Sequence, residues 1–175
     1  LASYALFHLV TVFPLSWVAL QNTQDLNSVL IVQLCGAAIA IVCTVISGRI
    51  ADRIGRRTTL GLFAIFIGIF ALFAPYLMGG DSTRQDIFIL VGFALLGLSY
   101  GQAAGTVTSN FEQRFRYTGA ALTTDFAWLF GAAFAPLVAL GLSSEFGLVA
   151  VSAYLLSGTV CTLLALSTPH HSTCH

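Results

Sequence analysis

Gly48-Arg49-Ile50-Ala51-Asp52-Arg53-Ile54-Gly55-Arg56-Arg57 is the stretch whose reading decides the fold. It holds the densest charge in a sequence that otherwise has almost none. Apolar runs long enough to cross a bilayer flank it on both sides, Leu30–Ser47 and Leu60–Met78. A charged ten-residue segment between two such runs is expected to be a turn at a membrane face.

Working outward, composition gives the same answer. The 175-residue chain is 57% hydrophobic and 8% charged. A soluble domain carries roughly 25% charged residues, so much of this surface is expected to face lipid. A hydrocarbon core about 30 Å thick needs about 20 apolar residues per helix, which allows about six spans with short loops. That leaves no room for a separate soluble domain. The net charge is zero, which suggests neither nucleic acid nor a polyanionic partner. No lysine is present, and every basic residue is Arg. Cys35, Cys43 and Cys161 lie in apolar runs and Cys174 in the tail, with no spacing that suggests a disulfide framework or a zinc site. They are expected to be small residues buried among helices. The chain opens at Leu1 inside an apolar run, without the charged n-region or cleavage site of a signal peptide. It is expected to be internal to a longer protein.

Six spans are expected, together forming a bundle over residues 1–166, with 167–175 as a short tail. The first is Leu1–Leu20. Tyr4, His8 and Thr11 fall at i, i+4 and i+7 there, on one helix face. Such a stripe should turn toward protein or water, because an unpaired polar group in hydrocarbon is costly. His8 is either a proton or substrate contact or an interhelical hydrogen bond. Pro14 removes a backbone donor and should kink this helix, and Trp17 suits the water interface. The second span, Ser28–Ser47, carries Gln33 and Thr44, with Gly36, Ala37, Ala38 and Ala40 as a narrow packing face. The third, Leu60–Met78, is bare of polar side chains before Tyr76, which suits a lipid-facing position. The fourth, Ile87–Thr108, has Gly97, Gly101 and Gly105 in two overlapping G-x-x-x-G steps, with Ser99, Tyr100, Gln102 and Thr106 beside them. The fifth, Tyr117–Leu142, contains Asp125 and Pro136. The sixth is Leu148–Leu166.

With six spans, the loops at 48–57 and 110–116 share one side with both chain ends. That side carries Arg49, Arg53, Arg56, Arg57, Arg114 and Arg116, and the other only Arg84. The positive-inside rule makes the arginine-rich side, both ends included, cytoplasmic. Within the charged stretch, Gly48 permits close packing or a turn. Asp52 can accept from backbone N–H groups at a neighbouring helix start. If the segment is helical, Asp52 and Arg56 are spaced for an acid-first i, i+4 pair.

The pattern G-x-x-x-D-R-x-G-R-R over Gly48, Asp52, Arg53, Gly55, Arg56 and Arg57 resembles the loop signature of the major facilitator superfamily of transporters. Arg114-Phe115-Arg116-Tyr117-Thr118-Gly119-Ala120-Ala121, with the glycines of the fourth span, resembles the loop between helices ten and eleven of its metabolite:proton symporter branch. Known members of that branch carry shikimate, α-ketoglutarate, citrate, or proline and betaine. Thr11-Val12-Phe13 with Leu15-Ser16-Trp17 resembles its seventh helix. The resemblance covers Leu1 to about Leu166. It implies an all-α integral membrane fold, six transmembrane helices making helices seven to twelve of a twelve-helix carrier, in a bacterial inner membrane. The N-terminal six-helix half would be missing. It further implies that Gly48, Asp52, Arg53, Gly55, Arg56, Arg57, Arg114 and Arg116 belong to gating loops, with Asp52 and Arg53 setting the inward–outward balance. Two stretches depart from the pattern. Ser109-Asn110-Phe111-Glu112 stands where the branch has Glu-Leu-Phe-Pro, and the tail lacks the usual charged segment.

Asp125 is the one acidic residue inside an expected span. A central Asp costs about 2.5–3.5 kcal/mol on the insertion scale, so it should face a bundle interior or cavity. Desolvated there, it is either a proton carrier or substrate contact, or a structurally hydrogen-bonded group near a helix end. Trp128 lies one turn on. The resemblance implies that the first, second, fourth and fifth spans line the path, and these are the spans holding His8, Tyr4, Gln33, Tyr100, Gln102 and Asp125. The tail residues His170, His171, Cys174 and His175 have a metal-ligand composition without the spacing of a known site.

The sequence therefore points to transmembrane transport of a small organic acid or zwitterion, by proton-coupled symport with alternating access. The expected partners are substrate, protons, the lipid bilayer and the other six-helix half, with no cofactor and no metal. The rival reading is a membrane remnant without transport activity of its own. No His-Glu-x-x-His or Gly-x-Ser-x-Gly pattern points to an enzyme, and no filter-like loop to a channel.

Overall fold

The computed structural model describes residues 2–21, 25–108, 113–129, 141 and 147–167. The elements among them are helices: α1 (Ala2–Thr11), α2 (Phe13–Gln21), α3 (Leu26–Ile54), α4 (Arg56–Met78), α5 (Ser82–Thr108), α6 (Arg116–Trp128) and α7 (Leu148–Ser167). Among the described residues, five stretches are long and apolar enough to cross a membrane: Ala2–Leu20, Leu26–Ile54, Arg56–Met78, Ser82–Ala103 and Leu148–Ser167. The fold is all-α and of the membrane class that the composition implied. The expected fifth span is described through α6 and Leu129, and its remainder, with Pro136, lies largely outside the described residues. So do Ser109-Asn110-Phe111-Glu112 and the tail from residue 168, with its His and Cys side chains.

The charged stretch is not a ten-residue turn. α3 runs through Ile54 and α4 starts at Arg56, so Gly55 alone connects them. Its φ of +87° is one that side-chain-bearing residues rarely adopt. The Gly55 N–H bonds to the Ala51 carbonyl at 2.9 Å, and the Gly55 carbonyl accepts from Thr59 N at 3.0 Å and Thr59 Oγ1 at 2.8 Å. One residue thus ends one helix and starts the next. Because Gly55 breaks the helix, Asp52 and Arg56 are not an i, i+4 pair on one face. The 29 residues of α3 rise roughly 43 Å at 1.5 Å each, more than the roughly 30 Å hydrocarbon core. Arg49, Asp52 and Arg53 are exposed on its last two turns. Charge here marks the edge of the apolar slab, and the helix continues past it.

The closest backbone approach is between α3 and α5. A Cβ on Gly97 would lie 2.3 Å from the Ala40 carbonyl oxygen and 2.8 Å from the Ala40 Cα. Only glycine fits. The Thr44 hydroxyl reaches across the gap to donate to the Gly97 carbonyl at 3.0 Å, sharing with Ala40 O at 2.8 Å. Ser47 Oγ donates to the Leu98 carbonyl one turn on. Lipid tails are as apolar as Leu, so helices in a bilayer associate through close packing and such hydrogen bonds. The sequence-predicted glycine face does this work, although Ala38 points away from it and is exposed.

Leu6, Leu9, Phe13, Ile67, Phe88, Ile89 and Leu155 form the buried centre, contributed by α1, α2, α4, α5 and α7. Phe70 stacks on Phe88 with ring centroids 5.0 Å apart. α4 faces lipid on one side only. Ile65, Phe66, Ile69, Leu72 and Phe73 are exposed, while Phe63, Ala64, Ile67, Phe70 and Ala71 are buried against α5 and α7. The cysteines also differ from expectation. Cys35 and Cys161 are exposed on helix surfaces, and Cys43 is half-buried. A thiol is apolar enough to face lipid at little cost.

Candidate functional site

Four of the residues singled out in the sequence meet in one place. Tyr4 and His8 lie one turn apart on α1, Tyr100 on α5, and Trp128 at the end of α6. The Tyr4 ring meets Tyr100 edge-on at 5.4 Å between centroids and Trp128 at 5.6 Å. His8 lies 5.8 Å from Trp128, again edge-on. Phe7, which a search for polar stripes passes over, completes the group. Its ring is 5.5 Å from Trp128, 5.2 Å from His8 and 6.3 Å from Tyr100. Edge-to-face geometry sets positive ring edges against negative ring faces, so these contacts order the rings rather than merely crowd them. Tyr4 is 7% exposed and Tyr100 36%, so the cluster runs from the helix interior to an open surface. Thr124, on α6, stands beside the Tyr4 hydroxyl. Among the described residues, the buried Nδ1 of His8 has no hydrogen-bond partner.

Thr124 leads from this cluster to Asp125. A groove of about 580 Å³ is lined by Thr108, Gln113, Arg116, Tyr117, Ala120, Ala121, Thr124 and Asp125. The α6 positions among these recur every three to four residues, so they form one face of the helix. Asp125 is exposed in this groove, and α6 has no fully buried residue. Nine residues separate Asp125 from Arg116, the first of α6, which is roughly 14 Å along a helix axis. From a helix start at the membrane surface, that depth is about half the hydrocarbon core. The groove therefore sets a carboxylate, a guanidinium, an amide and three hydroxyls beside two alanines.

The other sequence candidates lie elsewhere. Gln33, on α3, donates its Nε2 to the Val10 carbonyl at 3.2 Å and to the Thr11 carbonyl at 2.8 Å. Gln102 is buried on α5, two residues past Tyr100, and so points to a different side of that helix. In the charged stretch, Gly48 is half-buried with nothing within 4 Å of the place a Cβ would take. Asp52, Arg53 and Arg56 are exposed. The Arg56 guanidinium lies over Gly105 on α5, where a Cβ would meet Nη1 at 2.5 Å. Arg57 donates from Nε to the Leu166 carbonyl at 3.1 Å, and its Nη2 donates to the same oxygen. That carbonyl belongs to the last turn of α7, where cations satisfy free acceptors and the helix dipole. The charged stretch thus ties the ends of α5 and α7 to the start of α4. Arg114 sits over the Phe115 ring at 5.6 Å, in the turn before α6.

Relatives of the chain are bacterial. It is 33% identical over 178 residues to the inner membrane metabolite transport protein YhjE of Escherichia coli K12, an alignment covering 98% of this chain and 40% of that protein. A putative metabolite transport protein of Haemophilus influenzae is 37% identical over 135 residues, covering 76% of this chain and 30% of the relative. A second one is 30% identical over 177 residues, covering 94% and 40%. No protein-family model matches the chain, and no solved structure matches it. The chain spans 30–40% of the length of these relatives, and over that segment it is homologous to proteins named for metabolite transport.

Proposed function

We propose that the chain forms one wall of a membrane carrier for a small organic acid or zwitterion, coupled to protons and working by alternating access. The observation that carries this reading is the convergence of Tyr4, His8, Tyr100 and Trp128 from three helices, linked through Thr124 to Asp125 in an open groove. A carboxylate at membrane depth is expensive unless function retains it. The names of the relatives support a metabolite as cargo, and that of the Escherichia coli protein supports an inner membrane as location. On this reading a second six-helix bundle closes the other side of the groove, and the substrate sits between the two near the midplane. The end of α3 and the starts of α4 and α6, where six of the arginines lie, then face the cytoplasm, with both ends of this chain. Arg56, Arg57, Arg114 and Arg116 belong to the cytoplasmic gate, with Gly48, Asp52, Arg53 and Gly55. Residues 1–166 form the bundle and 167–175 the tail.

The test is uptake by proteoliposomes holding the full-length protein, with a panel of labelled organic acids and zwitterions and an imposed proton gradient. Gradient-driven uptake of at least one compound is expected. Asp125→Asn should abolish accumulation while leaving exchange of internal for external substrate measurable, because exchange needs no net proton movement. Absence of uptake for every compound would favour the remnant reading. Unchanged accumulation by Asp125→Asn would remove that residue from proton coupling.

A further inference from the structure

Pro14 lacks an N–H, so the Val10 carbonyl loses the partner that residue 14 of a regular helix would supply. The peptide hydrogen bonds around it are intact. Val12 N donates to His8 O at 3.0 Å and Ser16 N to Val12 O at 3.1 Å. The helix is nevertheless interrupted at Val12, between α1 and α2. Val10 is fully buried, so water does not readily replace the missing donor. A buried carbonyl without a partner is costly, and more so in a bilayer. Gln33 supplies the donor from the neighbouring helix, spanning both the Val10 and Thr11 carbonyls with one amide.

The position of this interruption matters. Tyr4, Phe7 and His8 lie one to two turns before it on α1 and are three of the five rings of the aromatic cluster. Phe13 and Trp17 lie after it on α2 and stack on each other at 5.9 Å. The angle at Val12 therefore decides how Tyr4, Phe7 and His8 meet Tyr100 and Trp128.

We propose that Gln33 is a clasp on a hinge at Pro14. It acts as a positioning residue, fixing the angle of α1 and so the geometry of the aromatic cluster. Release and remaking of its bonds to the Val10 and Thr11 carbonyls let α1 swing when the carrier changes access. The transport consequence rests on the function proposed above. The structural coupling between Gln33 and Pro14 does not.

The experiment is a double-mutant cycle in the full-length protein with every tryptophan but Trp128 replaced by Phe, combining Gln33→Ala and Pro14→Ala. Two readouts are taken, Trp128 emission and the initial rate of uptake. Gln33→Ala should red-shift Trp128 and slow uptake roughly tenfold, as expected for an orphaned buried carbonyl. Adding Pro14→Ala restores an N–H at position 14, so the double variant should recover both readouts to within about threefold of Pro14→Ala alone. Gln33→Met keeps the volume without a donor and should behave like Gln33→Ala. Equal damage from Gln33→Ala in both backgrounds, or wild-type behaviour of a folded Gln33→Met protein, would overturn the clasp. If the parent protein moves no metabolite, the transport reading fails, and the emission cycle still decides the clasp.

Discussion

The α3–α5 crossing and the region where α1 meets α6 are built on opposite principles. At the crossing, Ala40, Thr44 and Ser47 meet Gly97, Gly101 and the Leu98 carbonyl, so backbone lies on backbone with hydroxyls bridging the seam. Around α1 and α6 the contacts are between rings, the helix is interrupted at Val12, and α6 buries no residue fully. A small-residue seam has almost no alternative packing, because each group fits one hole. Aromatic edges on a broken helix can trade partners at little cost. The difference teaches which part of the bundle serves as frame and which as working surface.

The contrast breaks first at Gly97. Gly97→Leu places a side chain inside the Ala40 backbone, so α3 and α5 must separate. Overpacking costs about 1–3 kcal/mol, and more where backbone is the obstacle, so folded protein should be largely lost in a thermal-stability assay in detergent. Gly48→Ala is the control. Nothing lies within 4 Å of its Cβ position, and inside α3 it should leave the fold intact and raise stability by about 0.5–1 kcal/mol, the helix-interior gain of Ala over Gly.

Trp128→Leu sharpens the other side. It removes the ring that Tyr4, Phe7 and His8 share, each aromatic pair contributing about 0.5–1.5 kcal/mol. Uptake should fall much further than melting temperature, the reverse of the effect at Gly97. Thr44→Val comes next. It deletes the bond to the Gly97 carbonyl while keeping the shape, and about 0.6 kcal/mol is expected from interhelical bonds measured in bilayers. Arg57→Ala should have the smallest effect. Its bonds to the Leu166 carbonyl are exposed, and exposed charged contacts contribute about 0–1 kcal/mol. Faster amide exchange in the last turn of α7 is the readout, with the rest of the bundle unchanged.

Much of this architecture is legible in the sequence, because hydropathy and glycine spacing are local signals. The spans at Leu60–Met78 and Leu148–Leu166 and the Gly97 contact needed nothing more. The charged stretch was harder. Arginines and Asp52 mark where lipid ends, but Ile50, Ala51 and Ile54 are content in a helix, and only Gly55 stops it. The Tyr4–His8 stripe is visible from its spacing. Its meeting with Tyr100 and Trp128 depends on how α1, α5 and α6 pack, which no local pattern encodes. Phe7 carries no polar atom and gave no signal at all. Gln33 reads as a path residue until the Val10 carbonyl left open by Pro14 is traced to it.

The most direct test of the carrier reading is whether the α6 groove opens to both sides of the membrane. Ala121 lines it beside Asp125, and Ala121→Cys in a cysteine-free background gives a small reporter there. An impermeant thiol reagent should label it from the cytoplasmic side in one condition and from the opposite side in another, with substrate or a proton gradient shifting the balance. Labelling from one side only, whatever the substrate or gradient, would contradict alternating access through this groove.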